Sequence, residues 1–90
     1  MTKAAVAGLT RAVARELGPR GITVNNIQPG PVATDMNPDE GDFADSIRGF
    51  SALGHYGQPR DIASAVAYLA LPEAGFVTGA NWNIDGGVTL

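Results

Sequence analysis

Few side chains in this 90-residue sequence could carry out chemistry by themselves. A serine nucleophile needs a histidine base within hydrogen-bond reach, and the serines at 46, 51 and 64 have no histidine at a recognisable spacing. The single histidine, His55, also lacks the companion ligands that a metal ion requires. His55 and Tyr56, which stand between two glycines, could be offered as an acid pair, but a catalytic role is not favoured for either. The sequence therefore supports neither a hydrolase nor a metal centre.

The dipeptide Pro29 and Gly30 is a better candidate because of its position, whereas Lys3 is not distinguished by position alone. The dipeptide follows a predicted strand, at the end where open α/β sheets bind ligands, and Gly30 would let a flat ring approach the backbone. The alternative is a simple turn, with Thr34 as a helix cap. Lys3 begins a predicted helix, and its spacing alone is typical of a surface lysine on a solvated helix end.

Apolar periodicity places the first elements of secondary structure. Val6, Leu9, Val13 and Leu17 recur at helical spacing, which predicts a helix over residues 2–17 that stops at the following Gly-Pro. Its many Ala and Gly residues indicate a face on which another backbone packs closely. Residues 22–27 are β-branched and bounded by Gly and Pro, which predicts a strand covered on both faces.

The second half of the chain reads as loop, helices and strand. Residues 35–54 are rich in Asp and Glu, which predicts a mobile polar loop with a short helix over residues 43–52. Pro59 suits a first helical position, and the apolar stripe that follows predicts a helix to residue 71. Residues 81–84 alternate polar and apolar side chains before Asp-Gly-Gly, which predicts a strand and a tight turn.

Strand, helical crossover and strand, preceded by one more helix, predict an α/β fold: a parallel β-α-β unit at the closing edge of a doubly wound sheet. We interpret residues 1–90 as a single segment of one domain. Such sheets are buried on both faces, and two strands with a few helices cannot achieve this alone. The chain is therefore predicted to be weakly stable or self-associating.

Composition excludes several classes of partner. Hydrophobic residues make up 44% and charged residues 17%, which is typical of a globular segment. The formal net charge of -3 and the lack of a basic cluster argue against nucleic acid. No apolar run approaches the ~20 residues of a membrane span, so no membrane association is expected. The absence of cysteine suits a cytoplasmic location.

Four motifs occur along the chain in a definite order. They are Thr2-Lys3-Ala4-Ala5, then Val24-Asn25-x-Ile27-x-Pro29-Gly30-x-Val32-x-Thr34, then Gly57-x-Pro59-x-Asp61-Ile62-Ala63, and finally Thr78-Gly79-Ala80 through Asp85-Gly86-Gly87. Each is weak alone, but their order and spacing together resemble the C-terminal part of a short-chain dehydrogenase/reductase, similar to 3-oxoacyl-carrier-protein reductases. The resemblance covers nearly the whole chain and implies a Rossmann-type fold.

The resemblance also implies a function and a set of site residues. The family oxidises alcohols or reduces ketones with NAD or NADP, so a small carbonyl or alcohol substrate is implied. Lys3 would close a Tyr-x-x-x-Lys motif whose tyrosine precedes Met1; four residues apart on a helix, both would share one face. The ammonium would lower the phenol pKa from about 10 and bind the ribose of the nicotinamide.

The segment after the first strand would contact the nicotinamide. By resemblance, Pro29 and Gly30 lie beside the ring, Val32 offers backbone groups to the carboxamide, and the Thr34 hydroxyl contacts the carboxamide or the pyrophosphate. Similar proteins are tetramers built from helices like that at residues 2–17 and from the terminal strand, which implies homo-oligomerisation.

The sequence departs from the family in one respect that bears on activity. It contains no Gly-x-x-x-Gly-x-Gly or Gly-x-Gly-x-x-Gly motif, so the turn that cradles the cofactor phosphates is missing from these residues. Two hypotheses follow. The chain is the C-terminal piece of an NAD(P)-dependent oxidoreductase, inactive by itself, from a misplaced start codon or a truncated gene; alternatively, it is a non-catalytic module that binds itself or a relative.

Overall fold

The computed structural model describes residues 2–89, so Met1, which the hypothesis of a misplaced start codon concerns, lies outside the described residues. In chain order, the regular elements of these residues are helix α1 (Lys3–Leu17), a 3-10 turn (Gly18–Arg20), strand β1 (Asn26–Pro29), helix α2 (Asp42–Arg48), helix α3 (Pro59–Leu69), a second 3-10 turn (Pro72–Ala74) and strand β2 (Asn81–Ile84).

Strands β1 and β2 form a two-stranded parallel sheet, which confirms the predicted α/β class and the β-α-β order. The amide of Asn26 donates to the Ala80 carbonyl at 2.9 Å, and the amide of Gly30 donates to the Ile84 carbonyl at 3.0 Å. In both bonds the acceptor lies the same number of residues after the donor, as expected when the two strands run in the same direction.

Helix α1 forms as predicted, one residue shorter at its beginning. Thr2 is extended and acts as the N-cap, with its hydroxyl oxygen accepting a hydrogen bond from the Ala5 amide at 3.1 Å. The helix ends at Leu17 because the chain turns through the Gly-Pro pair to Gly21, whose φ of 74° is left-handed.

The strand predicted at residues 22–27 was wrong in its first four positions, since β1 begins at Asn26 and extends to Pro29. Residues 24 and 25 are bonded, but to a loop. The Val24 carbonyl accepts from the Gly79 amide at 2.7 Å, and the Asn25 side chain donates to the Val77 carbonyl at 3.0 Å and accepts from the Ala80 amide at 3.1 Å. Residues 24 and 25 are not part of the strand because the segment that they contact precedes β2, which begins at Asn81.

The remaining elements agree with prediction to within a few residues. Helix α2 ends at Arg48, earlier than the predicted residue 52, and α3 begins at Pro59 and ends at Leu69. Strand β2 has the predicted bounds.

The chain divides into two compact units. The first runs to Ile27 and includes Val66–Trp82; the second consists of Gln28–Ala65 and the residues from Asn83 onward. In the first unit, the Tyr68 and Trp82 rings stack with centroids 6.1 Å apart. In the second, the Arg48 guanidinium lies 5.9 Å from the centroid of the Tyr56 ring.

Burial is slight in both units. The buried apolar residues among those described are three alanines and Tyr56, and no large side chain is fully buried. The large apolar side chains that remain exposed are Leu9, Ile22, Met36, Phe43, Phe50, Leu53, Val66, Tyr68, Leu71 and Phe76. Strand β1 is half-buried from Asn26 to Gln28 and exposed at Pro29, so neither unit provides the cover on both faces that such a sheet ordinarily has. Weak stability or self-association remains a prediction.

Candidate functional site

The turn that follows β1 is held against the turn that follows β2. A Cβ atom placed on Gly30 would lie 2.5 Å from the Asp85 Cβ and 2.6 Å from its Cα, distances that real atoms do not adopt. Gly30 is therefore required by the close approach of Asp85. The sequence attributed this glycine to the approach of a ligand ring, and its contact with Asp85 could not be foreseen without the strand register.

Asp85 organises the turn at the end of β2. One carboxylate oxygen accepts a hydrogen bond from the Gly87 amide at 2.9 Å, and the other accepts from the Thr89 hydroxyl at 2.7 Å. The Gly86 carbonyl accepts from the Leu53 amide at 2.9 Å and from the Ser51 hydroxyl at 3.0 Å. The predicted tight turn at Asp-Gly-Gly is thus confirmed, and it also anchors the segment before α3.

Val32 lies in a parallel bridge with Gly57 that leaves its backbone N–H without a partner in residues 2–89. The Gly57 amide donates to the Pro31 carbonyl at 2.9 Å, and the Ala33 amide donates to the Gly57 carbonyl at 2.9 Å. In such a parallel bridge the N–H and C=O groups of the intervening residue point away from the partner segment. Within residues 2–89 the Val32 N–H has no acceptor, and its carbonyl accepts only a long bond of 3.4 Å from the Asn37 amide group.

Thr34 caps a turn and not a helix. Its hydroxyl oxygen accepts from the Asn37 amide at 3.1 Å, while the two backbones exchange bonds of 3.1 and 3.2 Å. The next helix begins only at Asp42, so the alternative of a helix cap is wrong. Thr34 is exposed and its hydroxyl hydrogen remains able to donate.

Lys3 is the first residue of α1 and is exposed. It belongs to the first unit, whereas Pro29, Gly30, Val32 and Thr34 all belong to the second. The predicted cofactor-contacting residues of the second unit thus lie along one short segment.

A cavity of about 310 Å³ lies beside this segment in the second unit. Its lining includes Val32, Leu53, Ile62 and Asp85. It also includes His55, whose ring Nδ1 lies 2.8 Å from the Tyr56 carbonyl. The sequence did not place Leu53 or Ile62 at this cavity, because only the bonds described above bring their segments to the end of the sheet.

Tyr56 carries a buried hydroxyl with no partner. The residue is 5% exposed, and its Oη is the one buried side-chain polar atom among the described residues that makes no hydrogen bond. A buried hydroxyl is poorly placed to contact a substrate, and the sequence also disfavours a catalytic role for Tyr56.

We expect Tyr56→Phe to stabilise the 90-residue chain by about 1 kcal/mol, since burying an unpaired hydroxyl costs roughly 1–3 kcal/mol and phenylalanine keeps the ring. Urea unfolding would measure it. Tyr68→Phe is the matched control: Tyr68 is exposed, and we expect its change to stay within about 0.5 kcal/mol. A loss of stability in Tyr56→Phe would mean that the hydroxyl has a bonding partner.

Membrane spans and metal sites are both absent from residues 2–89. No helix in this range is long and apolar enough to cross a bilayer. No group of three or more His, Cys, Asp or Glu side chains in the same range could hold a metal ion.

Comparison with known proteins places this geometry in a family. The family model described as enoyl-(acyl carrier protein) reductase matches residues 1–89. The Cyclic-di-GMP-binding biofilm dispersal mediator protein of Escherichia coli is 51% identical over 94% of this chain and 36% of its own length. The 3-oxoacyl-[acyl-carrier-protein] reductase of a Synechocystis species is 45% identical over 98% of this chain and 35% of its own length.

Solved structures agree in fold as well as in sequence. A short-chain dehydrogenase/reductase from Serratia marcescens is 58% identical with a TM-score of 0.94, over 98% of this chain and 36% of that one. A short-chain dehydrogenase from Burkholderia cenocepacia in complex with NADP is 46% identical with a TM-score of 0.89, over the same shares of the two chains. The chain thus spans about a third of the length of these relatives, and it belongs to the short-chain dehydrogenase/reductase family, corresponding to its C-terminal part.

Proposed function

We propose that residues 1–90 form the nicotinamide-facing part of an NAD(P)-dependent oxidoreductase that interconverts alcohols and ketones by hydride transfer. The observation that carries the proposal is the unpaired backbone N–H of Val32, immediately beyond the carboxyl end of β1. Open α/β sheets bind ligands at that end. A primary carboxamide offers an acceptor for this N–H and a donor for the weakly bonded Val32 carbonyl, so the residues present fit a nicotinamide.

The neighbouring residues support the same assignment. Gly30 and Asp85 fix the end of β1, so that the Val32 donor is held in place before a ligand arrives. The exposed Thr34 hydroxyl can donate to the carboxamide or to a phosphate oxygen. Pro29, at the exposed end of the strand, contributes an apolar surface for the ring.

Lys3 is proposed as the catalytic residue of this chain. A bound nicotinamide would supply the hydride, and charge would develop on the substrate oxygen. The Lys3 ammonium would stabilise the anionic form of a neighbouring phenol, so that a proton can be delivered near neutral pH, and would bind ribose hydroxyls. Its exposed place in the first turn of α1 leaves the ammonium accessible to both.

By itself the 90-residue chain is proposed to be inactive. Its glycines form no phosphate-cradling motif before a helix, and none of its tyrosines stands four residues before Lys3. We further propose a small carbonyl or alcohol substrate, a homo-oligomeric assembly and a cytoplasmic location. NADP in the Burkholderia structure supports a nicotinamide cofactor for the family.

A chimera tests the proposal. Residues 2–89 would replace the corresponding segment of the Serratia marcescens enzyme, to which they are 58% identical. We expect the chimera to oxidise NADPH or NADH in the presence of a carbonyl substrate, and the 90-residue chain alone to show no turnover. A folded chimera that binds neither cofactor would overturn the proposed site, and turnover by the chain alone would overturn its inactivity.

A second candidate is a non-catalytic module that associates with itself or with an intact relative. The exposure of large apolar side chains favours it: Met36 is 97% exposed, and Phe43 and Phe50 are about 70% exposed. Light scattering distinguishes the two candidates. If the chain is a well-folded monomer that does not bind a full-length relative, the association module is excluded.

A further inference from the structure

The two units carry opposite formal charge. The first contains four basic residues and two acidic ones, the latter Glu16 and Glu73, although the whole chain has a net charge of -3. Of the four basic residues, Lys3, Arg11 and Arg15 lie on α1 and Arg20 follows it. The first unit is therefore the part of the chain to which an anion is attracted.

Two of these arginines line one cavity. It has a volume of about 460 Å³ and lies wholly within the first unit, between α1 and the loop that precedes β2. Its lining consists of Arg11, Ala14, Arg15, Gly18, Thr78 and Gly79.

The floor of the cavity is fixed. Ala14 is buried, and a Cβ atom placed on Gly79 would lie 3.6 Å from the Ala14 Cβ, so the helix and the loop are nearly in contact there. The Gly79 amide donates to the Val24 carbonyl at 2.7 Å. The Thr78 hydroxyl oxygen accepts from the Val24 amide at 3.0 Å, which orients the side chain and leaves its hydrogen able to donate.

The two guanidinium groups have no bonding partner in the described part of the chain. Arg11 and Arg15 are four residues apart and so are neighbours on one face of α1. Both are exposed, and neither makes a hydrogen bond or an ion pair within residues 2–89. Arg15 lies in the last turn of α1, where its charge interacts favourably with the helix dipole. Arg11 lies one turn earlier, where this interaction does not explain the presence of a cation.

We propose that this cavity binds a tetrahedral oxyanion of the phosphate or phosphomonoester class. Two planar guanidinium groups can each donate two parallel hydrogen bonds to such an anion, and the Thr78 hydroxyl can donate a further one. The site is independent of the proposed hydride-transfer function, because its lining includes none of the residues proposed to act on the cofactor, which are Lys3, Pro29, Gly30, Val32 and Thr34.

Titration with inorganic phosphate at constant ionic strength tests the site. We expect saturable shifts of the Thr78 and Gly79 amide resonances in the nuclear magnetic resonance spectrum of the 90-residue chain. Arg11→Gln and Arg15→Gln should each weaken phosphate binding about tenfold or more, the usual cost of losing a charge-assisted bond. Arg11→Lys should restore part of the loss, since it keeps the charge without the bidentate geometry.

Arg20→Gln is the matched control. It removes the same charge from an exposed arginine that does not line the cavity, so phosphate binding should change less than twofold. Acetate, which offers a single carboxylate, should bind more weakly than phosphate. The proposal is overturned by the absence of saturable shifts, by equal binding of acetate, or by an Arg20→Gln loss as large as that of Arg11→Gln. These outcomes do not depend on whether the chimera has reductase activity.

Discussion

Gly30→Ala should destabilise the chain by about 3 kcal/mol. The new methyl group would lie 2.5 Å from the Asp85 Cβ and 3.1 Å from the Asp85 carbonyl oxygen, so the backbone of one turn must move. Inserting a carbon where there is no room costs roughly 1–3 kcal/mol, and the upper end applies at Gly30 because the obstructing atoms are those of a turn held by its own hydrogen bonds. Urea unfolding followed by circular dichroism measures the loss.

Gly8→Ala provides the matched control for this prediction. Gly8 lies within α1, is exposed, and has no atom within 4 Å of an added Cβ. Alanine is favoured over glycine inside a helix by about 1 kcal/mol, so this variant should be more stable. Equal effects of the two substitutions would show that the contact between Gly30 and Asp85 is not the source of the cost.

The Gly30 contact also illustrates what could be predicted from the sequence. Helices α1 and α3 have apolar stripes with clear first and last residues, so local periodicity was sufficient to locate them. Strand β2 was equally well marked, because its alternating side chains are followed by glycines that permit a turn. In each case the signal lies within the element itself.

What could not be predicted depends on contacts between distant residues. Residues 22–25 have the composition of a strand, yet β1 begins only where its partner does, more than fifty residues later. The same holds for Val32: its free N–H exists because the flanking Pro31 and Ala33 are bonded to Gly57. The resemblance predicts Val32 as a cofactor contact, and the register of the bridge explains why its N–H is free.

The slight burial connects the fold to the proposed function. Apolar residues such as Leu9 and Val66 lie on helices and are about half exposed, although their spacing is typical of a core-facing stripe. The strand and turn that hold Val32 are nonetheless fixed by backbone bonds and by the Asp85 turn. The position of Val32 therefore depends on these hydrogen bonds more than on apolar burial, whereas the stability of the whole chain depends on apolar burial.

Lys3→Gln in the Serratia chimera should lower kcat/KM for carbonyl reduction by about 10²–10⁴-fold, the range expected when an aid to proton transfer is removed. The pH at which kcat is half-maximal should rise as well, because the phenol would lose its neighbouring cation. Folding should not suffer, since Lys3 is exposed and a cation in the first turn of a helix is slightly unfavourable. Arg20→Gln, which removes an equal charge from an exposed position, should leave both kcat/KM and the pH profile of kcat unchanged. An Lys3→Gln chimera with normal kcat and an unaltered pH profile would show that the ammonium takes no part in proton transfer.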